Sequence, residues 1–133
     1  MPKKVKDVMT NYNIFIESAT TLQEAAKAMK DADCAVLPVG SPDRFEGIIT
    51  DRDLVIRAII NGEHAGKPVG HYMNQQTVFC NEDDTLEEAY QTMRENKLSR
   101  LIVKNAKDKV TGIISMLEIL ENSDVHHKKV GFA

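Results

Sequence analysis

Tryptophan is absent from this chain, and three tyrosines and four phenylalanines bring the aromatic content to only 5%. A core built from it must therefore rest on Val, Ile, Leu, Ala and Met. Long apolar runs are missing too. The longest, Leu54 to Ile60, is broken by Arg57 and falls far short of the ~20 residues that a membrane-spanning helix needs. Positive charge is not in excess. A net charge of −3 argues against a general binder of nucleic acid or of anionic membranes, which depend on clustered Lys and Arg. No secretory signal is discernible, since Met1-Pro2-Lys3-Lys4 leads straight into polar, periodic sequence. The two cysteines, Cys34 and Cys80, stand far apart and form no CxxC. They read as two reduced, half-buried small residues of a cytoplasmic chain, because a bridge would need their Cα atoms within about 7 Å. What remains, 42% apolar and 28% charged over 133 residues, is the balance of an ordinary globular protein large enough for one core.

The chain repeats itself. Slid along its own length, Val5 falls on Val69, Met9 on Met73, Phe15 on Phe79, Thr21-Leu22 on Thr85-Leu86, Glu24-Ala25 on Glu88-Ala89 and Met29 on Met93. Leu37 and Val39 meet Leu101 and Val103, and after one inserted residue Gly47-Ile48-Ile49 meets Gly112-Ile113-Ile114. Such density of matches marks a tandem duplication. The halves run from about 5 to 62 and from about 69 to 123, with a tail over 124–133, and each is small enough that the two are expected to pack as one module covering 1–133.

Within each half the elements follow from spacing. Val5 to Met9 and Val69 to Met73 read as short lead-ins. Ile14-Phe15-Ile16 and Val78-Phe79-Cys80 are β-branched and aromatic runs. Thr21-Leu22-Gln23-Glu24 and Thr85-Leu86-Glu87-Glu88 match the capping box, and behind them Leu22, Ala25, Ala26, Met29 and Leu86, Ala89, Tyr90, Met93 recur at helical spacing. Ala35 to Val39 and Ser99 to Val103 predict buried strands, although Pro38 would demote a central strand unless it lies at an edge or beside a ligand. Turns at 40–43 and 105–108 lead into strands at 45–49 and 110–114. A second helix follows in each half, from about Asp51 to Ile60 and from about Met116 to Asn122. The order β-α-β-β-α, twice, defines an α+β fold of two pseudo-symmetric repeats, not a doubly wound sheet.

The passage into the second helix carries the most chemistry. Gly47-Ile48-Ile49-Thr50-Asp51-Arg52-Asp53 returns, weakened, as Gly112-Ile113-Ile114-Ser115-Met116-Leu117-Glu118. Thr50 with Asp53, and Ser115 with Glu118, form capping boxes whose capping alone stabilises a helix by about 1 kcal/mol. The same groups also put a hydroxyl, a carboxylate and free N–H groups at one helix start, as a ligand site would. The residues themselves leave both readings open.

A repeated β-α-β-β-α unit with Gly-apolar-apolar-hydroxyl-x-x-acid before its second helix resembles the CBS domain, named after cystathionine β-synthase. Two in tandem resemble the CBS pair or Bateman module over residues 5 to 122. The Thr-Asp-Arg-Asp turn followed by Leu54-Val55-Ile56-Arg57 is similar to small stand-alone bacterial CBS-pair proteins such as the hypoxic response proteins. The resemblance implies a regulatory, non-catalytic module that binds AMP, ADP, ATP or S-adenosylmethionine between its repeats and forms a disc-like homodimer. Carried over residue by residue, it implies that Thr50 and Asp53 hold the ribose, with Arg52 near phosphate and Asn74, Val78, Phe79, Ser99, Arg100 and Leu101 lining the base pocket. A carboxylate suits this role because it can accept two hydrogen bonds from a vicinal diol. The pseudo-symmetric site would use Ser115 and Glu118 with Thr10, Ile14, Phe15, Ala35, Val36, Leu37 and Pro38. That copy departs from the pattern, because Glu118 is one methylene longer than Asp and Met116-Leu117 replaces Asp51-Arg52.

Other chemistry has little to stand on. No Ser/His/Asp or Cys/His set forms a nucleophilic site, no catalytic cofactor is implied, and the chain reads as not an enzyme. His126-His127 with Lys128-Lys129 reads as a polar tail without a third metal ligand at a recognisable spacing. Arg57 reads as a surface charge. The competing expectation is a ligand-free homodimeric protein-interaction domain, and a thiol switch at Cys34 or Cys80 stands last.

Overall fold

A computed structural model gives residues 3–62, 65–75 and 78–123 of the chain. They run through α1 (Val5–Val8), β1 (Thr10–Asn11), α2 (Leu22–Ala32), β2 (Val36–Gly40), β3 (Phe45–Thr50), a π-wound helix (Asp53–Ile59), a 3-10 turn (Val69–His71), β4 (Phe79–Asn81), α3 (Leu86–Asn96), β5 (Arg100–Lys104), β6 (Val110–Ser115) and α4 (Met116–Glu121). The tail with His126 and His127, and His64 of the linker, lie outside the described residues. The fold is mixed helix and strand in two repeats, as the periodicities predict.

Thr21 and Thr85 start α2 and α3 by the same device. Each hydroxyl accepts from the N–H three residues on, at 3.1 Å, and Glu24 and Glu88 each accept from the threonine N–H at 2.9 Å. Two otherwise unpaired donors are thereby satisfied at each start. Both helices end on a left-handed residue, Asp33 (φ 51°) and Lys97 (φ 55°), whose N–H returns to the last turn.

The chain forms two compact units, Asn13–Thr77 and a split unit of Met1–Tyr12 with Val78–Ala133. These boundaries differ from those of the sequence repeats, because the lead-ins change places. Val5 of α1 is fully buried in the split unit's core, where Val5 N–H donates to Asp84 O at 2.8 Å. Val69 is fully buried in the core of the continuous unit, and its N–H donates to Thr20 O at 2.8 Å.

In the split unit a four-stranded sheet has the order β1-β6-β5-β4, with only β4 and β5 parallel. Leu101, Val103, Ile114 and Cys80 on one face pack with Val5, Leu86, Ala89, Met93 and Ile119, the alternation that a strand's two-residue period imposes. In the continuous unit β2 and β3 form a hairpin whose Leu37, Val39 and Ile49 pack with Leu22, Ala25, Met29 and Ala58.

The expected strand at Ile14 to Ile16 is corrected to a single parallel bridge of Ile16 with Val39. Its counterpart β4 extends over three residues. The difference lies in Pro38. Ile16 N–H donates to Pro38 O at 3.0 Å, but proline has no N–H to carry the ladder back toward Ile14. Ile102 stands in the equivalent place, opposite Phe79, and can donate.

The helix expected from Asp51 also differs in kind. Over Asp53–Ile59 it winds as a π-helix, with Ile60 N–H reaching Val55 O at 3.3 Å. Val55, Ile56 and Ile59 are β-branched and crowd an α-helical turn, whereas α4 carries only Ile119 and stays α-helical.

Candidate functional site

Asn74 and Thr10 occupy matching places against the two Gly-apolar-apolar-hydroxyl turns. In the continuous unit Asn74 exchanges both backbone bonds with Ile48, at 2.7 and 2.9 Å. In the split unit Thr10 is paired with Ile113 in β6. Glycine is required beneath each crossing. A Cβ on Gly47 would stand 2.5 Å from Asn74 O, and one on Gly112 would stand 2.4 Å from Thr10 O. The glycines of the motif thus admit a strand that ends beside the hydroxyl and the acid.

Both acids complete the capping boxes read from the sequence. Thr50 N–H donates to Asp53 Oδ2 at 3.0 Å, and Asp53 N–H donates to Thr50 Oγ1 at 3.1 Å. Ser115 N–H donates to Glu118 Oε1 at 2.9 Å, and Glu118 N–H donates to Ser115 Oγ at 3.1 Å. The corners part company at their remaining groups. The Ser115 hydroxyl donates to Glu118 Oε1 at 3.1 Å, and the Thr10 hydroxyl donates to Glu118 Oε2 at 2.9 Å. Both oxygens of Glu118 are therefore engaged at home; the extra methylene lets the carboxylate span from Ser115 to Thr10. Asp53 Oδ1 accepts no hydrogen bond among the described residues, and its nearest charged neighbour is Arg57 Nη1 at 4.0 Å. The Thr50 hydroxyl likewise has no acceptor among the described residues. One corner is closed on itself, and the other keeps an oxygen donor and an oxygen acceptor side by side.

The remaining expected site residues divide between the units. The continuous unit holds Thr50, Arg52, Asp53 and Asn74 of the first set, with Ile14, Phe15, Ala35, Val36, Leu37 and Pro38 of the second. The split unit holds Val78, Phe79, Ser99, Arg100 and Leu101 of the first, with Thr10, Ser115 and Glu118 of the second. Asn74 lies against Ile48, two residues before the Thr50–Asp53 pair, whereas Thr10, paired with Ile113, reaches Glu118 itself. Leu37 and Leu101 are core side chains, 3% and 0% exposed, and Pro38 is fully buried. Ala35 O and Ser99 O accept from Asp51 N–H and Met116 N–H at 2.9 and 2.8 Å, fixing each helix start to the strand before it. Arg52 and Arg100 are exposed, and Ile14 is half-exposed. Val36, Val78, Phe15 and Phe79 are partly buried. One face of the Phe79 ring already carries the Lys104 ammonium, 4.0 Å from its centroid, which Asp108 holds at 3.3 Å. Arg57, read as a surface charge, is exposed, with half of its side chain accessible, but it has partners that the sequence did not reveal. Its guanidinium donates to Tyr72 O at 3.1 Å and faces Asp53.

Other chemistry remains thin. Cys34 is exposed rather than half-buried. Burial, with Asp84 acting in the same sense, pushes the Cys80 thiol up to about 12, so it stays protonated near neutral pH. Among the described residues no three His, Cys, Asp or Glu side chains could hold a metal ion, and no helix is long and apolar enough to cross a membrane.

Two matches to the model of the CBS domain, over residues 5–59 and 69–124, cover nearly the whole chain. The chain belongs to the CBS-domain family, as a pair of CBS domains. It is similar to the CBS domain-containing protein YhcV of Bacillus subtilis (strain 168), 30% identical over 89% of this chain and 84% of YhcV. It is also similar to hypoxic response protein 1 of Mycobacterium tuberculosis, 25% identical over 91% of this chain and 85% of that protein. In structure it resembles a CBS domain protein from Pyrobaculum aerophilum complexed with AMP, with a TM-score of 0.75, 15% identity, and 98% of this chain and 100% of that one covered.

Proposed function

We propose that this CBS pair is a regulatory, non-catalytic module that binds an adenosine-containing nucleotide, with Thr50 and Asp53 as its ribose corner. The observation that carries this reading is the adjacent pair of groups uncommitted among the described residues, the Thr50 hydroxyl and Asp53 Oδ1. A vicinal diol both donates and accepts, so it can bond to each of them. The AMP held by the structural relative from Pyrobaculum aerophilum supports the ligand class. Exposed Arg52, one residue from Asp53, supplies charge for a phosphate. Regulation follows if the nucleotide binds one conformational or assembly state better than another. Titration calorimetry with AMP, ADP, ATP and S-adenosylmethionine tests the reading. Saturable binding of at least one is expected, and a folded protein that binds none overturns it.

An apolar face supports a second copy as partner. Val55, Ile56, Ile59 and Ile60 on and just after the π-wound helix are 42–69% exposed, more clustered apolar surface than one short helix usually leaves in water. A homodimer through this face is expected to sediment as a dimer in the parent and as a monomer in Ile59→Glu. A monomeric parent, or a variant as dimeric as the parent, overturns it. A dimer that binds no nucleotide would instead favour the ligand-free interaction domain.

A further inference from the structure

We infer that Arg57 is a positioning residue for the ribose corner, holding Asp53 Oδ1 in an accepting position and tying it to the segment that ends at Asn74. The inference rests on the ribose-corner reading above. The Asp53 side chain is only 14% exposed, and a carboxylate so far removed from water needs a compensating charge. Arg57 supplies it one helical turn on, with Nη1 4.0 Å from Oδ1. At that distance the guanidinium balances the charge without occupying the oxygen. Its own place is fixed by the hydrogen bond to Tyr72 O, whose ring belongs to the continuous unit's core. The planar guanidinium can face two acceptors at once, which an ammonium does less well.

The duplicate provides the contrast. Asn122 stands where Arg57 stands, and its amide donates to Glu118 O at 2.8 Å. Among the described residues no guanidinium pairs with Glu118; the Thr10 hydroxyl takes the second carboxylate oxygen instead. The two copies thus differ together, in the closed oxygen and in the missing cation. An exposed ion pair of no further consequence would contribute at most about 1 kcal/mol to stability and would leave the choice between ribose and deoxyribose unchanged. A positioning role would alter that choice.

The test compares AMP with 2′-deoxy-AMP by calorimetry on the parent, Arg57→Gln, Arg57→Lys and Asp53→Ala, with circular dichroism to verify folding. The parent is expected to prefer AMP. Arg57→Gln is expected to weaken AMP binding about tenfold, the scale of coupling between neighbouring groups, and to leave 2′-deoxy-AMP nearly unchanged. Arg57→Lys, which keeps the charge but loses the fork, should fall between parent and Arg57→Gln, and it decides the matter if Arg57→Gln does not fold. Equal losses for both nucleotides, or no loss for either, overturn the role of Arg57 while Asp53→Ala still weakens AMP. A parent that binds neither nucleotide overturns this inference, and an Asp53→Ala variant that binds AMP as the parent does overturns the ribose corner with it.

Discussion

Asp53→Ala is expected to lower AMP affinity by about a hundredfold, whereas Glu118→Ala changes it little. The magnitude follows from hydrogen bonds to a charged acceptor, each contributing about 1.5–3 kcal/mol when formed away from bulk water. The pairing of variants separates binding from capping. Each substitution removes the same reciprocal box, Thr50–Asp53 in one case and Ser115–Glu118 in the other. Each should therefore cost about 1 kcal/mol of stability through its helix start. Only Asp53 loses an oxygen left uncommitted among the described residues. Calorimetric titration of AMP into both variants, with chemical denaturation alongside, reads the two effects independently. Equal affinities for the parent and Asp53→Ala would reduce Asp53 to a cap. An equal loss in Glu118→Ala would mean that its bond to Thr10 opens for ligand, and that the copies share one task.

The sequence pattern made the duplication, both long helices, the four capping boxes that begin on a hydroxyl and the two hairpins legible, because each depends on near neighbours. Thr21 with Glu24 and Ser115 with Glu118 are three residues apart, and hydrophobic periodicity does the rest. Three features were hidden because they depend on distant partners or on a balance of small terms. The exchange of lead-ins joins Val5 to a core made by residues beyond Val78, and no local pattern announces such a partner. The loss of the Ile14 to Ile16 strand turned on one missing N–H at Pro38, which the sequence showed but whose side of the ladder it did not. The π winding reflects the crowding of Val55, Ile56 and Ile59 against a hydrogen-bond pattern only slightly less favourable than the α one.

The candidate site divides the same way. Thr50 and Asp53 were readable from their motif, and their difference from Ser115 and Glu118 was readable as a weakened repeat. What the letters could not give was the state of each second oxygen, since Thr10 closes on Glu118 across more than a hundred residues. Arg57 did leave a signal, a cation four residues after an acid on one helix. Such pairs are common on exposed helices, and only the bond to Tyr72 O distinguishes this one.

Gly47→Ala is expected to destabilise the protein by about 2–3 kcal/mol, the upper part of the range for overpacking, and the sign of the effect identifies its cause. Positive φ among the described glycines is confined to Gly40 and Gly62, so the backbone at Gly47 is one that alanine also adopts. Were the entropy of the unfolded chain all that changed, alanine would stabilise β3 by about 0.5–1 kcal/mol. The steric argument predicts the opposite. A Cβ would lie 2.5 Å from Asn74 O and 3.2 Å from Asn74 C, and these are backbone atoms, held in turn by the two bonds between Asn74 and Ile48. Relief requires the segment from Val69 to Asn74 to lift from β3. Denaturation midpoints give the size and sign of the change. Amide exchange gives its place: Asn74 N–H, bonded to Ile48 O at 2.7 Å, should exchange faster, while the α2 amides slow or quicken only with global stability. Because that segment bonds to Ile48, two residues before Thr50, and through Tyr72 O to Arg57, which faces Asp53, Gly47→Ala should also weaken AMP binding, even under conditions in which the variant remains folded. A stabilised variant, or one whose Asn74 amide is as protected as in the parent, would mean that the lead-in can move aside at no cost and that Gly47 does not hold the corner in place.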